Sequence, residues 1–383
     1  YGARMKFLQT SDWQWGMTRH WLDADDQARF TQARNDAVVR AGRVAQEHDC
    51  AFMVVAGDVF DSNHLRPQTV RRAMEALRQV PVPVYLLPGN HDALNAAAVY
   101  DSPAFTGVGL EHVHVLRSSE PVEVAPGVEL VAVPLTTNQP DHDVVAAVLD
   151  DLEPPAPGVR RVLVAHGQLL ELDPGRRVSA LDGDRIRRAL DEGLVDWVAL
   201  GDRHSRWADP SGRIHYSGAV EVTDFRDEVP GDVLVVDLGE EGRAPAAEPV
   251  HVGTWRMLGV TEEVNSAEDV ARLREQWEAI EDKSSVLIRH ALTGTLSLTD
   301  DAALQELLEW AGDTFAAAFA WERHTDVVVV PDDAELSDIG IGGYVAQAAA
   351  DLKEQTESGG EGAVAASDAL RLLYRYATAG ERA

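Results

Sequence analysis

From Met5 to about Leu238 short apolar runs alternate with stretches of helical periodicity. The runs at residues 52–56, 84–87, 130–133, 162–165 and 197–200 have strand length and β-branched content. Residues 26–48 and 67–79 read as helices, and the breaker Pro81-Val82-Pro83 leads into the next strand. Strand–loop–helix alternation predicts a layered α/β domain with functional loops at the carboxyl ends of strands. Residues 122–129 with 130–134 read as a hairpin, so the sheet is expected to be mixed rather than purely parallel.

Residues 239–249, rich in Gly, Ala, Pro and Glu, read as a linker or long turn. A strand at 251–260, a helix at 267–280, a strand at 285–298, a helix at 301–315 and a strand at 325–330 then predict a small α/β capping domain. Two helical segments close the chain, 344–356 and 363–376, joined by Glu357-Ser358-Gly359-Gly360-Glu361-Gly362. Ala366, Ala369, Leu370 and Leu373 fall at i, i+3, i+4, i+7, and Tyr374 and Ala377 continue that face. The stripe suits either packing onto the cap or a partner helix. The expected division is 5–240, 250–332 and 338–380.

Composition narrows the class. The 383 residues are 45% hydrophobic, and no apolar stretch approaches the roughly 18–20 residues that span a bilayer. No secretory pattern opens the chain, and Tyr1-Gly2-Ala3-Arg4 precede Met5, which reads as the natural start. A lone cysteine, Cys50, excludes an intramolecular disulfide and suits a reducing cytoplasm; its apolar neighbours predict a buried, inert thiol. The net charge of −30 opposes broad contact with polyanions. Arg71-Arg72, Arg160-Arg161, Arg176-Arg177 and Arg187-Arg188 offset it locally or form solvated faces.

The candidate chemistry lies in polar clusters that follow apolar runs: Ser11-Asp12-Trp13-Gln14, Gly57-Asp58-Val59-Phe60-Asp61, Gly89-Asn90-His91-Asp92, Ala165-His166-Gly167 and Gly201-Asp202-Arg203-His204. Oxygen and imidazole ligands delivered from successive strand ends are what two divalent metals about 3.5–4 Å apart require, and such a pair serves phosphoester hydrolysis. Asp58 follows a strand and a glycine, where a carboxylate can bridge two cations. Asn90 offers a neutral hard oxygen, and His166 and His204 suit imidazole ligation. His91 is placed to act as a general acid, since imidazole titrates near neutrality. Asp61 and Asp92 are expected to orient loops by hydrogen bonding. Trp13 and Trp15 flank Gln14, where they either stack on an unpaired base or pack beside the site.

In this order the clusters resemble the calcineurin-like metallophosphoesterase superfamily. The Gly57–Asp61 and Gly89–Asp92 loops, with Ile214-His215-Tyr216-Ser217-Gly218-Ala219-Val220-Glu221, are most similar to SbcD-type DNA repair exonucleases. The resemblance implies a mixed β-sheet core flanked by helices, with a small α/β cap and a C-terminal helical tail. It implies one metal on Asp12, Asp58 and His204, and a second on Asp58, Asn90, His166 and the residue at Asp202, with Asp58 bridging. It implies two divalent ions, manganese foremost, with magnesium, zinc or iron as alternatives. An activated water would attack phosphorus in line while His91 protonates the leaving oxygen. The implied setting is cytoplasmic, at DNA ends, with an SbcC-type SMC ATPase held by the C-terminal helices. A homodimer is left open, and no membrane is involved.

Two positions depart from the family pattern. Its D-x-H reads Asp12-Trp13-Gln14, and its G-H-x-H reads Gly201-Asp202-Arg203-His204, so each metal loses one imidazole. Asp202 substitutes an anionic oxygen that favours harder cations, whereas Gln14 offers a weaker, neutral one. Arg203 is expected either to contact substrate or to fold back on Asp202. Three outcomes stay open: an enzyme with altered metal preference, an enzyme for a small or nucleotide phosphoester, or a scaffold subunit that keeps the fold without turnover.

Overall fold

Alternating side chains along the central strands enter two different cores, the mark of strands covered on both faces. The computed structural model describes residues 5–173, 175, 179–239, 243–330, 344–358 and 362–379. Arg176 and Arg177, residues 1–4, 240–242 of the expected linker, 331–343 where the expected tail begins, 359–361 between its helices, and 380–383 lie outside the described residues. The chain divides into two compact units, Tyr1–Trp255 and Arg256–Ala383.

The first unit contains two six-stranded sheets. Its strands are β1 (Lys6–Thr10), β2 (Met53–Val55), β3 (Val84–Leu86), β4 (Val113–Val115), β5 (Val122–Ala125), β6 (Val128–Val133), β7 (Arg160–His166), β8 (Trp197–Gly201), β9 (Trp207–Ala208), β10 (Ile214–Tyr216), β11 (Asp232–Asp237) and β12 (Ala246–His251). One sheet runs β12-β11-β1-β2-β3-β4, parallel from β1 to β4; the other runs β5-β6-β7-β8-β10-β9, parallel from β6 through β10. The expected hairpin is β5–β6, paired antiparallel.

Phe7, Val54 and Tyr85 of the first sheet share a core with Val162, Val164, Trp197 and Ala199 of the second. Their sequence neighbours Leu8, Met53, Val55 and Val84 point the other way, against helices α1 (Ala24–Glu47), α2 (Pro67–Leu77) and α3 (Pro103–Thr106). Leu163, Ala165, Val198 and Leu200 likewise meet α4 (Val144–Asp151) and α5 (Gly183–Asp191). The result is a mixed α/β layered core, with two sheets face to face and helices outside each.

Three local expectations change. Residues 246–249 of the expected linker fall in β12, an edge strand whose Pro249 is tolerated because one side lacks a neighbour. The strand expected at 251–260 is divided between the end of β12 and β13 (Arg256–Glu263). In the second unit β15 (Ala317–Ala320) forms from an alanine-rich run with no β signal of its own, because pairing with β14 (Val286–Leu296) sets it.

That second unit is a parallel sheet of β13, β14, β15 and β16 (Asp326–Val329), with β15 and β16 both beside β14. Helices α6 (Ala267–Glu278) and α7 (Leu298–Thr314) pack on it through Leu273, Trp277, Leu304 and Leu307. The final helices are α8 (Tyr344–Glu357) and α9 (Ala363–Ala379). Leu370 of the apolar stripe is buried with Leu298, Val329 and Ala349, Leu373 packs against them, and Ala366 is also buried, so this part of the face is consumed within the unit. The side chains of Tyr374 and Ala377 lie outside the described residues. No helix among the described residues is long and apolar enough to cross a membrane.

Candidate metal centre

The candidate ligands leave the carboxyl ends of adjacent parallel strands: Asp12 after β1, Asp58 after β2, Asn90 and His91 after β3, His166 at the end of β7, and Asp202 and His204 after β8. Past the strands, the 12–15 and 57–61 loops stay zipped by main-chain bonds from Asp12 N to Gly57 O (3.0 Å), Gln14 N to Asp58 O (2.9 Å) and Trp15 N to Val59 O (2.9 Å). Holding the loops so tightly forces unusual backbone conformations. Among the described residues, six non-glycine residues have positive φ, and four of them are Asp12 (52°), Gln14 (45°), Asp58 (52°) and Asp202 (88°). Such strain concentrates where function requires it. Gly57, at φ 93°, and Gly89 allow the close approach: a Cβ on Gly57 would overlap the His166 ring, and one on Gly89 would overlap the Asp58 carboxylate.

Asp12, Asp58 and His166, all buried, each present a ligand atom within 4.8 Å of the others. The Nδ1–H of His166 donates to the Ala56 carbonyl at 2.8 Å, which can only accept. Its Nε2 then faces three oxygens: Asn90 Oδ1 at 2.8 Å, Asp58 Oδ1 at 3.3 Å and Asp202 Oδ1 at 3.8 Å. A lone pair among oxygens is repelled unless a proton or a shared cation lies between them. The main-chain N–H of Asp202 also donates to Asp12, at 3.2 and 3.3 Å to its two oxygens.

On the other side, His204 Nε2 lies 3.9 Å from Asp12 Oδ1 and 3.1 Å from Gln14 Nε2. The Gln14 side-chain oxygen, Oε1, is buried and accepts no hydrogen bond among the described residues. Orphaned acceptors of this kind are rare and call for an explanation. Three carboxylates, two amide oxygens and two imidazoles form a donor set that fits hard or borderline divalent cations. Asp12, Gln14, Asp58 and His204 could hold one, and Asp58, Asn90, His166 and Asp202 the other.

His91 stands at the rim with its side chain 41% exposed, its Nε2 3.9 Å from Asp58 Oδ2. Its main-chain N–H donates to Asp58 Oδ1 at 3.0 Å, and its ring Nδ1 donates to the Asp61 carbonyl at 2.9 Å. The role expected of the Asp61 side chain thus falls to its main chain. Asp92 joins two ligand loops, accepting from Phe60 N (3.0 Å), Gly89 N (2.7 Å) and Tyr100 Oη (2.6 Å). Arg203 does not fold back on Asp202; among the described residues its guanidinium makes no ion pair or hydrogen bond, and its Nε is buried. It lines a cavity of about 510 Å³ with Gln14, His91, Asp202 and His204. A second cavity, about 570 Å³, opens beside Asn90 and His166 and shares Asp202 and Gln168. Trp13 and Trp15 are buried against each other, ring centroids 4.9 Å apart, which removes them as stacking platforms.

Burial pushes the Asp12 carboxyl up despite the nearby His204 and His166. Asp58 feels the same burial, but His166 and His91 outweigh it and hold it below the usual carboxylate range. Asp92, buried beside the Asp58 charge, is pushed up to about 6. For His166 burial disfavours the charged ring, yet Asp58, Asp12 and Asp202 together hold it well above the ordinary imidazole value.

Buried Asp12, Asp58 and His166, converging at the carboxyl edges of two stacked sheets, form a candidate divalent-metal centre of the kind a metal-dependent phosphoesterase uses. Residues 5–236 match the family described as calcineurin-like phosphoesterase, and the chain belongs to that family of metallophosphoesterases. Among solved structures it is similar to TT1561 of Thermus thermophilus, at 11% identity and a TM-score of 0.41, over 65% of this chain and 100% of that one. It is also similar to a dimetal phosphatase from Danio rerio, at 13% identity and a TM-score of 0.39, over 63% of this chain and 98% of that one. No curated protein matches the chain. The family assignment rests on the sequence match.

Sequence reasoning missed the residues behind the ligands: Tyr100 on Asp92, the Ala56 carbonyl on His166, and Thr223 on His204. Each comes from a segment whose local pattern carries no sign of its partner.

Gly89→Ala should displace the Asp58 carboxylate; calorimetry should find manganese binding weakened at least about tenfold, and unchanged affinity would remove Gly89 from this role. In the metal-free protein His166 carries a proton to pH values above its ordinary 6.5, and a cation must displace it. Metal binding should therefore release protons and tighten as pH rises through the raised value. Calorimetry in buffers of differing ionisation enthalpy checks this, and a pH-independent affinity contradicts it.

Proposed function

We propose that the protein is a metal-dependent phosphodiesterase of the SbcD type, acting on DNA ends in the cytoplasm with an SMC-type ATPase partner. The observation that carries the reading is the shared position of Asp58, touched by His166 on one side and by His91 on the other. The motif order and the Ile214–Glu221 segment support the branch. A second unit with paired terminal helices, more than a minimal phosphatase needs, supports a partner; Val364 and Leu372 of α9 are exposed apolar side chains available to it.

Two divalent cations, manganese by preference, would supply the positive charge that polarises the phosphoryl oxygens and makes a water nucleophilic at neutral pH. The chain's own residues do the rest. Asp58, with Asp12 and Asp202 nearby, would help to hold that charge. His91, its Nδ1–H anchored on Asp61, presents Nε2 toward the open cavity. Although burial opposes it, the Asp58 charge and the Asp61 carbonyl raise the His91 pKa, which favours the protonated ring that can deliver a proton to the leaving oxygen. Arg203, free of protein partners among the described residues, binds a non-bridging phosphate oxygen.

A second reading, hydrolysis of a small or nucleotide phosphoester, is favoured by charge. The cavity around His91 is lined by Asp61, Asp224, Asp227 and Glu228, while Arg226 there is paired with Asp224. That lining suits one phosphate better than a polyanion.

Metal titration against bis-p-nitrophenyl phosphate and labelled duplex DNA separates the readings. Cleavage of both is expected; cleavage of the reporter alone favours the small substrate, and cleavage of neither under any metal contradicts enzymatic turnover. His91→Gln should slow DNA cleavage about 10²–10⁴-fold but reporter cleavage less than about tenfold, since p-nitrophenolate needs little protonation. Equal losses on the two substrates would contradict the acid role.

A further inference from the structure

His204 has a second set of contacts, directed away from Asp12. Its Nδ1 lies 2.5 Å from the Thr223 hydroxyl, and that hydroxyl donates to Asp227 Oδ2 at 2.8 Å. A hydroxyl has a single hydrogen and a carboxylate only accepts. With its hydrogen on Asp227, the Thr223 oxygen must accept from His204, which places the ring proton on Nδ1. The Nε2 lone pair is then left facing Asp12 and Gln14, where the Gln14 amide N–H can donate to it.

The relay is held firmly. Thr223 is fully buried, and Asp227 Oδ2 also accepts from the main-chain N–H groups of Thr223 (2.7 Å) and Asp224 (3.0 Å). Arg19 Nε donates to the Thr223 carbonyl at 3.0 Å, and buried Arg34 ties the Val222 carbonyl (3.0 Å) to the Trp13 carbonyl (3.2 Å), between Asp12 and Gln14. His166 and His91 hang their Nδ1–H groups on main-chain carbonyls, which no substitution alters. His204 depends on side chains.

We propose that Thr223 and Asp227 are positioning residues that lock His204 in its Nδ1–H tautomer and thereby set the cation affinity of the Gln14 side of the centre. This rests on the reading of His204 as a ligand. Gln14 contributes only a neutral oxygen there, so the aim of the one imidazole carries more weight than on the Asp202 side.

The test uses the full chain labelled with ¹⁵N-histidine. Long-range ¹⁵N–¹H spectra of the metal-free protein, at a pH well above the ordinary imidazole pKa, should show His204 as the Nδ1–H tautomer. Thr223→Val should let the Nε2–H form appear, Asp227→Ala should do the same by freeing the hydroxyl to donate, and Thr223→Ser should restore the wild-type spectrum. If Thr223→Val does not fold, the other two variants carry the comparison. In calorimetric titration with manganese, Thr223→Val should weaken one of two equivalents about 10–100-fold and leave the other unchanged. An unaltered tautomer in Thr223→Val and Asp227→Ala overturns the relay. A His204→Ala protein that binds both equivalents as tightly as wild type overturns the ligand reading beneath it. Weaker binding in His204→Ala but not in Thr223→Val overturns the positioning role alone.

Discussion

Asp12 and Asp58 are buried carboxylates whose only ion-pair partners among the described residues are histidines. Removing such groups from water costs several kcal/mol each unless opposite charge accompanies them. Their backbones sit at positive φ, a further cost of order 1–3 kcal/mol for each strained residue. The histidines offset this cost at Asp58, whose carboxyl they hold low, but not at Asp12, where burial wins, so the arrangement is only partly compensated by the fold. It becomes intelligible when positive charge enters the space bounded by Asp12, Asp58, Asn90, His166, Asp202 and His204.

The rest of the first unit serves to keep that space from relaxing. Two sheets are packed through Phe7, Phe52, Val54, Trp197 and their neighbours, so the carboxyl edges of β1–β3 and of β7–β8 cannot drift apart without opening the core. Buried polar side chains then fasten the loops. Asp92 joins the Asp58 loop to the Asn90 loop, and Tyr100 completes its coordination. Arg34, its pKa lowered to about 10 by burial, gives its protons to the main-chain carbonyls of Trp13 and Val222. Ligand strain is thus borne by a rigid scaffold, which is how a preorganised centre differs from a chance cluster of acids.

Much of this was legible along the chain. Asp12, Asp58, Asn90, His166 and His204 each follow an apolar run, and a strand end is where a parallel sheet exposes functional groups. Gln14 and Asp202 are visible in sequence only as replacements in a motif, while the orphaned Gln14 side-chain oxygen and the Asp202 N–H bonds to Asp12 arise only once the loops meet in space. Thr223, Asp227 and Tyr100 left no trace, because a residue that supports another through space has no local period. Positive φ was also hidden, since aspartate does not announce it as glycine does. The strands β12 and β15 were missed for a different reason: tertiary pairing imposed them on runs whose own propensity is weak. Trp13 and Trp15 were ambiguous in sequence and became core once the two loops closed over them.

A shared Asp58 is the feature on which the proposed chemistry depends. Crystals grown with manganese and measured at an energy of strong manganese anomalous scattering would count the ions and locate them directly. Two peaks flanking the Asp58 carboxylate, one toward His204 and one toward His166, are the predicted result. A single peak that does not touch Asp58, or none despite saturating metal, would contradict it.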